Sequence, residues 1–481
     1  MNPYSRLIPR LNGKEIEERF GYYLSLVKKG IAGFIVFTGE LETVRSKLAE
    51  LQDASEHPLI IACDLEQGLG QQIESGTLFP PAMAIASALK GVDRQRAKAL
   101  LNEVYTAFAE ESLYAGINTI LAPVLDINTN PDNPIIATRA FGEDPDSVSF
   151  FGCEMVSVLQ RNGIIACGKH FPGHGDTEID SHISLPVIRK KISDLENVEL
   201  VPFRKAISEG LSMIMLGHLS IPALDASGVP ATISQKIISY LRSKLIFKGT
   251  VMSDAMNMGG MGGYGENEAS LMALNAGVDI ILHPTDPDAV AAHLRQKDWK
   301  PGGKPATPQI RRLQIQEREG FSSSISPEDI SIHFGEHRKL SERLSRMAIT
   351  VEGDTQLKIK DPFLIILNED RDGMDAYLIH EFRRRYRDTG YCSVSPEDEI
   401  PWSAIPKDHD LIVCVYSQTR AWKGKTAGWL RNTIKNLNLT ARVFVSFGNP
   451  YVLRNLGNVT KIYAYWNSEP AQKAVLEKLA N

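Results

Sequence analysis

The 481-residue chain reads as an α/β protein, a (β/α)8 TIM-type barrel followed by a second, smaller α/β sandwich domain. Three observations predict this. Short, unbroken apolar runs bounded by turn residues recur between Ile31 and Pro284, and segments of helical periodicity separate them. After a polar interruption, a new series of apolar runs starts at Pro362. Strands that are apolar along their whole length belong in a parallel sheet covered by helices, and seven or eight such units suggest a closed barrel. The chain is also longer than one hydrophobic core usually serves.

The barrel runs are, in order, IAGFIVF, LIIACD, INTILAPVLDI, IIACGKH, SMIMLGHL, GTVMSD and VDIILH. Arg94–Tyr114 and Leu195–Glu209 have amphipathic helical spacing. The N-terminal strand is not identified by this pattern. Nearly every run ends in polar or ionisable residues: Asp64, Asp126, Lys169 with His170, His218, Asp254 and His283. In a barrel those ends converge on one mouth, so residues far apart in sequence become one site. After Pro284, DWKPGGKPATPQIRR reads as a loop and Glu336–Met347 as a helix leading to AITVEGD. PFLIILN, LIVCVY, ARVFVSFGNP and KIYAYWN then read as strands, and EPAQKAVLEKLA as a closing helix. The expected boundaries are 1–345 for the barrel domain, 346–360 for a linker and 361–481 for the sandwich domain.

Composition narrows the function classes. The 43% hydrophobic and 23% charged residues are those of a soluble globular protein. A net charge of −5 gives no general attraction to nucleic acid or to an anionic membrane surface. No run approaches the ~18 apolar residues of a membrane span, and the N-terminus lacks the apolar core of a signal peptide. Cys63, Cys153, Cys167, Cys392 and Cys414 are scattered, form no C-x-x-C pair and fit reduced thiols packed as small hydrophobes. The expectation is a cytoplasmic protein with neither nucleic acid nor membrane as partner. Its oligomeric state is not legible.

The stretch KHFPGHGDTEIDSHISLP, Lys169–Pro186, carries His170, His174, Asp176, Asp180 and His182 at the exit of a barrel strand. Three readings compete for it. It could be a solvated connection, although it is longer and richer in glycine than a connecting turn requires. Its histidines and aspartates could ligate a divalent ion, but their i, i+4 pairs need a helix, which Pro172, Gly173 and Gly175 oppose. In the third reading, Asp180 accepts one ring N–H of His182, fixes its tautomer and raises its basicity. The other ring nitrogen then exchanges a proton with substrate.

Such a dyad needs a partner across the substrate. KGTVMSDAMNMGG delivers Asp254 from a buried strand, either as a cap on the following helix or as that partner. The glycines of GGMGGYG would let a ligand approach the backbone closely, and they match no phosphate-binding pattern.

These residues resemble glycoside hydrolase family 3, in its bacterial β-N-acetylglucosaminidase branch. KHFPGHGDTEIDSH is similar to that branch's K-H-F-P-G-x-G-x4-D-x-H signature. The likeness takes in ACDLEQG, APVLDIN, ATRAFGEDP, GHLSIPALD, PATIS and SDAMNM, and reaches SFGNP and NSEPAQKAVLEKL, so it spans most of the chain. The resemblance implies that Asp254 is a nucleophile forming a covalent glycosyl-enzyme. It makes His182 the general acid/base and Asp180 the residue that orients it. Asp64, Arg139, Lys169 and His170 would hold the hydroxyls and acetamido group of an N-acetylglucosamine unit.

One departure stands out. The family reads D-x-E-G-G-R-x-x-R where this chain has DLEQGLGQQ, with Gln67 for a glycine, Leu69 for one arginine and Gln72 for the other. Gln72 can hydrogen-bond but brings neither charge nor a bidentate fork. His174 and Asp176 read either as turn-shaping or as contact residues, and Glu66 as a brace for its neighbours. No cofactor and no metal are implied.

The functional expectation is a retaining exo-β-N-acetylglucosaminidase acting on cell-wall fragments. The alternatives are a related family 3 glycosidase, an N-acetylglucosaminide phosphorylase, a metal-dependent hydrolase and an inactive carbohydrate-binding homologue.

Overall fold

The computed structural model describes residues 2–300 and 332–480, apart from 370–372, 387, 388, 397, 399, 402, 404, 407, 420–422, 424–427 and 439. Most of the loop expected after Pro284 lies outside the described residues. The chain divides into two compact units. The first comprises 1–79, 93–130 and 143–338; the second comprises 80–92, 131–142 and 339–481.

The first unit is built on parallel strands. They are β1 (Leu7–Ile8), β2 (Arg10–Asn12), β3 (Gly33–Phe37), β4 (Ile60–Cys63), β5 (Thr119–Ile120), β6 (Ile165–Phe171), β7 (Met213–Leu216), β8 (Thr250–Ser253) and β9 (Ile281–Leu282). β2 to β8 pair in chain order, β1 pairs with β9, and a bridge between Met252 and Ile280 joins β8 to the start of β9. The N-terminal strand missing from the sequence pattern is therefore β1 with β2. Pro9 interrupts it; Leu7 and Ile8 pair with β9, while Arg10 to Asn12 pair with β3, and this change of partner closes the ring. A split, proline-bearing strand leaves no unbroken apolar run to detect.

Alternate residues of the strands fill the barrel. Ile35, Ile60, Ala62, Leu121, Ile165, Cys167, Met213, Met215, Met252, Ile280 and Leu282 form one buried cluster. This is the inward-facing half of each strand, and it explains the cysteine on β6 as a small apolar filler. The helix expected over Arg94–Tyr114 forms over those residues. The one expected over Leu195–Glu209 is two helices, Ile192–Asn197 and Leu200–Ser208. Pro202 has no N–H to give to the Val198 carbonyl, so the first helix cannot continue through that turn.

The second unit contains β10 (Thr350–Glu352), β11 (Pro362–Asn368), β12 (Tyr391–Val394), β13 (Asp410–Ser417), β14 (Val443–Gly448) and β15 (Thr460–Tyr463). Their order is β10-β15-β14-β13-β11-β12, with only β10 antiparallel. Both faces are covered. Leu364 and Ile366 pack with Leu378, Phe382 and Val475 on one side, while Phe363, Ile365 and Leu367 pack with Leu430, Ile434 and Leu437 on the other. This two-sided burial is why the runs are apolar without alternation. β10 lies inside the stretch read as a linker. The helix expected at Glu336–Met347 spans Phe334–Ala348. Among the described residues, no helix is long and apolar enough to cross a membrane.

Candidate active site

The strand ends of the barrel carry the ionisable residues marked by the sequence. Just past β4, Asp64 accepts a hydrogen bond from Lys169 Nζ at 2.7 Å, and Glu66 lies 2.7 Å from the same ammonium. Lys169 is only 2% exposed, so two carboxylates compensate one buried cation. Glu66 is thus the brace expected of it.

One strand further round, Asp126 is fully buried. It accepts from His170 Nδ1 at 2.7 Å and from the His174 backbone N–H at 2.7 Å. Burial pushes its carboxyl up, but His170 and His174 outweigh that effect and hold it below the usual range. Since an ionised carboxylate only accepts, His170 donates through Nδ1 and turns its Nε2 to other work.

The dyad forms as expected. Asp180 is buried and receives both the backbone N–H of His182, at 2.9 Å, and its Nδ1, at 2.7 Å. The i, i+2 spacing makes this possible, because a carboxylate two residues back can reach both groups in one bend. Nδ1 is engaged, so Nε2 is the ring nitrogen that Asp180 does not hold. The His182 side chain is partly exposed while that of Asp180 is not.

Asp254 follows β8 and is almost buried. Its backbone N–H bonds to Leu216 O at 3.0 Å, and its own carboxylate accepts Ala255 N–H at 2.8 Å. Burial raises its carboxyl, but His170, His218 and His182 together pull it below its ordinary value. All three histidines are therefore close enough to act on it. Asp254 is an ionised carboxylate at the mouth rather than a helix cap: the next helix, Glu266–Ala276, starts well beyond it.

The loop after Asp254 meets the dyad directly. Gly259 N–H donates to His182 O at 2.9 Å, and Gly260 N–H to Ser181 O at 2.7 Å. A Cβ on Gly260 would fall 2.7 Å from Ser181 O and 2.8 Å from His218 Cβ. These glycines were expected to face a ligand; at Gly259 and Gly260 the close approach is that of the backbone of Ser181 and His182.

His174 is not a surface residue. It is buried, and its Nδ1 and Nε2 lie 2.8 Å from Thr177 Oγ1 and Ser181 Oγ. Asp176 bonds Thr129 Oγ1 at 2.9 Å and pairs with Lys190. The His/Asp cluster satisfies itself with hydrogen bonds, and among the described residues no group of three or more His, Cys, Asp or Glu side chains is arranged to hold a metal ion.

His218, at the end of β7, was marked only as a strand-end residue. It is fully buried between Thr232 Oγ1, at 2.7 Å, and Ala255 O, at 3.0 Å, and burial lowers its pKa. A carbonyl cannot donate, so His218 presents Nε2–H to Ala255 and steadies the residue next to Asp254.

Two further site residues were expected. Gln72 is half-buried just after the 3-10 turn Leu69–Gln71. Arg139 belongs to segment 131–142 of the second unit, where Nη1 donates to Ile135 O at 3.0 Å.

The mouth of the parallel barrel thus gathers an ionised carboxylate, a carboxylate-bound imidazole and a buried ammonium, groups that can hydrogen-bond a polar molecule and exchange protons. The chain matches the Glycosyl hydrolase family 3 N terminal domain over residues 23–298, and it belongs to that family. It is 32% identical over 300 residues to a beta-hexosaminidase of Nitrosospira multiformis, covering 61% of this chain and 84% of the relative. It is 36% identical over 251 residues to Beta-hexosaminidase A of Pseudoalteromonas piscicida, of whose length the match spans 41%. A glycoside hydrolase family 3 beta-N-acetylglucosaminidase from a Paenibacillus species superposes with a TM-score of 0.80 at 27% identity, over 99% of this chain and 95% of that one.

Proposed function

We propose that the protein is a retaining exo-β-N-acetylglucosaminidase. Asp254 attacks the anomeric carbon of a terminal β-linked N-acetylglucosamine. His182, oriented by Asp180, protonates the leaving oxygen and then deprotonates the water that releases the sugar. The observation that carries this reading is the meeting of two loops. The loop after Asp254 bonds to the backbone of Ser181 and His182, which supports a nucleophilic carboxylate and a carboxylate-bound imidazole sharing one opening. Lys169 with Asp64, and His170 with Asp126, would grip the ring hydroxyls and acetamido group. The names of the relatives support the sugar.

Asp254→Ala is expected to cut release of p-nitrophenol from the aryl N-acetylglucosaminide by roughly 10⁴-fold or more with unchanged circular dichroism. A fully active Asp254→Ala protein rules the reading out. Labelling with a mechanism-based fluoro-sugar, followed by mass mapping, should place the adduct on Asp254. Arg139 and Gln72 are proposed sugar contacts by family resemblance. Arg139→Ala would then raise KM, and Gln72→Arg would test whether the missing arginine narrows the choice of sugar.

The proposed natural substrates are cytoplasmic cell-wall fragments in which N-acetylglucosamine is joined to a muramic sugar. A second reading, phosphorolysis, draws on the imidazole in place of a second carboxylate. A neutral base does not repel an incoming phosphate. Product analysis with and without phosphate separates the two, since only phosphorolysis yields a sugar 1-phosphate.

A further inference from the structure

The acid/base dyad is not held by its own carboxylate alone. A chain of buried groups, linked by side chains and by the backbone N–H of His174, runs from His170 to the residue between Asp180 and His182. Asp126 sits at one end. It binds His170 through Nδ1 and through the backbone N–H, and it binds the backbone N–H of His174. His174 carries the chain onward to Thr177 and Ser181. Ser181 is itself buried, while Ile179 and Ile183 on either side of it are 44% and 52% exposed.

A proton inventory orients this chain. The Thr177 hydroxyl has one proton and lies 3.0 Å from the His174 carbonyl and 2.8 Å from His174 Nδ1; we assign the proton to the carbonyl. Thr177 Oγ1 therefore accepts from His174, which makes Nδ1 the protonated nitrogen. Nε2 is then an acceptor, and the Ser181 hydroxyl donates to it. Burial holds His174 well below the usual histidine range, at about 4, so the neutral ring persists at neutral pH. On its other side, Ser181 offers its carbonyl to Gly260 N–H at 2.7 Å. Ser181 is thus clasped twice, by His174 from the β6 side and by Gly260 from the β8 side.

We propose that His174 and Ser181, anchored on Asp126, are positioning residues that hold His182 in reach of the leaving-group oxygen. They would also couple His170, which meets the sugar, to the acid that cleaves the bond. The proposal rests on the reading of His182 as the general acid/base. It adds a role for residues that touch neither the reacting atoms nor the substrate.

The test exploits a property of acid catalysis: a leaving group that departs unaided does not need the acid. Ser181→Ala is compared with the unaltered protein on two N-acetylglucosaminides, one bearing 2,4-dinitrophenol and one an alkyl alcohol. A positioned general acid contributes roughly 10²–10⁴-fold. Ser181→Ala should therefore lose about tenfold or more in kcat/KM on the alkyl glycoside and less than about threefold on the dinitrophenyl one. Equal losses on both substrates, or no loss on either, overturn the proposal, because a merely structural defect is blind to the leaving group.

Thr177→Val, which unseats His174 without touching the dyad, should show the same asymmetry more weakly, and it decides the matter if Ser181→Ala does not fold. His182→Ala must give the full asymmetry. If it does not, the acid/base reading itself falls. If it does and neither Ser181→Ala nor Thr177→Val follows, only the coupling falls.

Discussion

The two halves of the segment from the end of β6 to Val187 carry equal chemical interest but are built in opposite ways. From His170 to Thr177 the chain is fixed to the barrel by side chains and by close backbone packing. Asp126 takes two of its N–H groups and Thr129 holds Asp176. A Cβ on Gly175 would lie 1.7 Å from Ile127 O. From Glu178 to Val187, by contrast, Ile179, Ile183 and Val187 are exposed, and the half that holds the dyad meets the neighbouring loop through two backbone hydrogen bonds. The inner half is built like a core and positions His170; the outer half exposes its apolar side chains and would carry the acid of the proposed mechanism. Asp180 and Ser181 are buried between the exposed Ile179 and Ile183, so the outer half is pinned at the dyad and open to water around it.

Substitutions can break that contrast. The largest stability effect is expected at Gly175→Ala. No side chain fits against Ile127, so the inner half must shift, at about 1–3 kcal/mol or more, read as a lower Tm. Gly260→Ala should lower Tm as well, though less than Gly175→Ala, because its Cβ meets Ser181 O at 2.7 Å and the buried His218 Cβ at 2.8 Å; by pushing Ser181 away it should also lower kcat on an alkyl glycoside about tenfold.

A pH titration sharpens the contrast further. His174 has its pKa lowered from about 6.5 to about 4 by burial first and by His170 second. The unfolded chain therefore binds the extra proton between those values. Stability should fall as pH drops from about 6.5 to about 4, and His174→Gln should flatten that part of the Tm profile.

His337, raised to about 9 against burial by Glu110 and Glu111, gives the opposite sign. Its stabilisation is complete below about pH 6.5 and is lost as pH rises to about 9, so the Tm gap between the protein and His337→Gln should close above that point. The smallest effect is expected for Ile179→Ser, within about 0.5 kcal/mol, because that side chain is already 44% exposed.

Much of the site was legible in the sequence because its chemistry is local. Asp180 and His182 lie two residues apart, and one bend suffices to join them. Lys169 and His170 lie on one strand, and apolar runs ending in Asp64 and Asp254 mark strand ends whatever the barrel's details. His174 was ambiguous for the opposite reason. Its partners are Thr177 and Ser181 on one side and Asp126, 48 positions away, on the other, and a histidine in a glycine-rich loop gives no sign of being buried. The APVLDIN run marked Asp126 as a strand-end residue, but nothing in the run says that it binds two segments at once.

By itself, then, the amino-acid sequence determined the alternation of strands and helices, the two-sided burial of the second sheet and the dyad. These follow from periodicity and from contacts a few residues long. Tertiary structure alone decided that a strand split at Pro9 closes the ring, that segments 80–92 and 131–142, with Arg139, group with the second unit, and that Asp126, His174 and Ser181 form one chain. Each of these depends on groups brought together across tens to hundreds of residues. Their contact free energy exists only once the rest of the fold has set the distance.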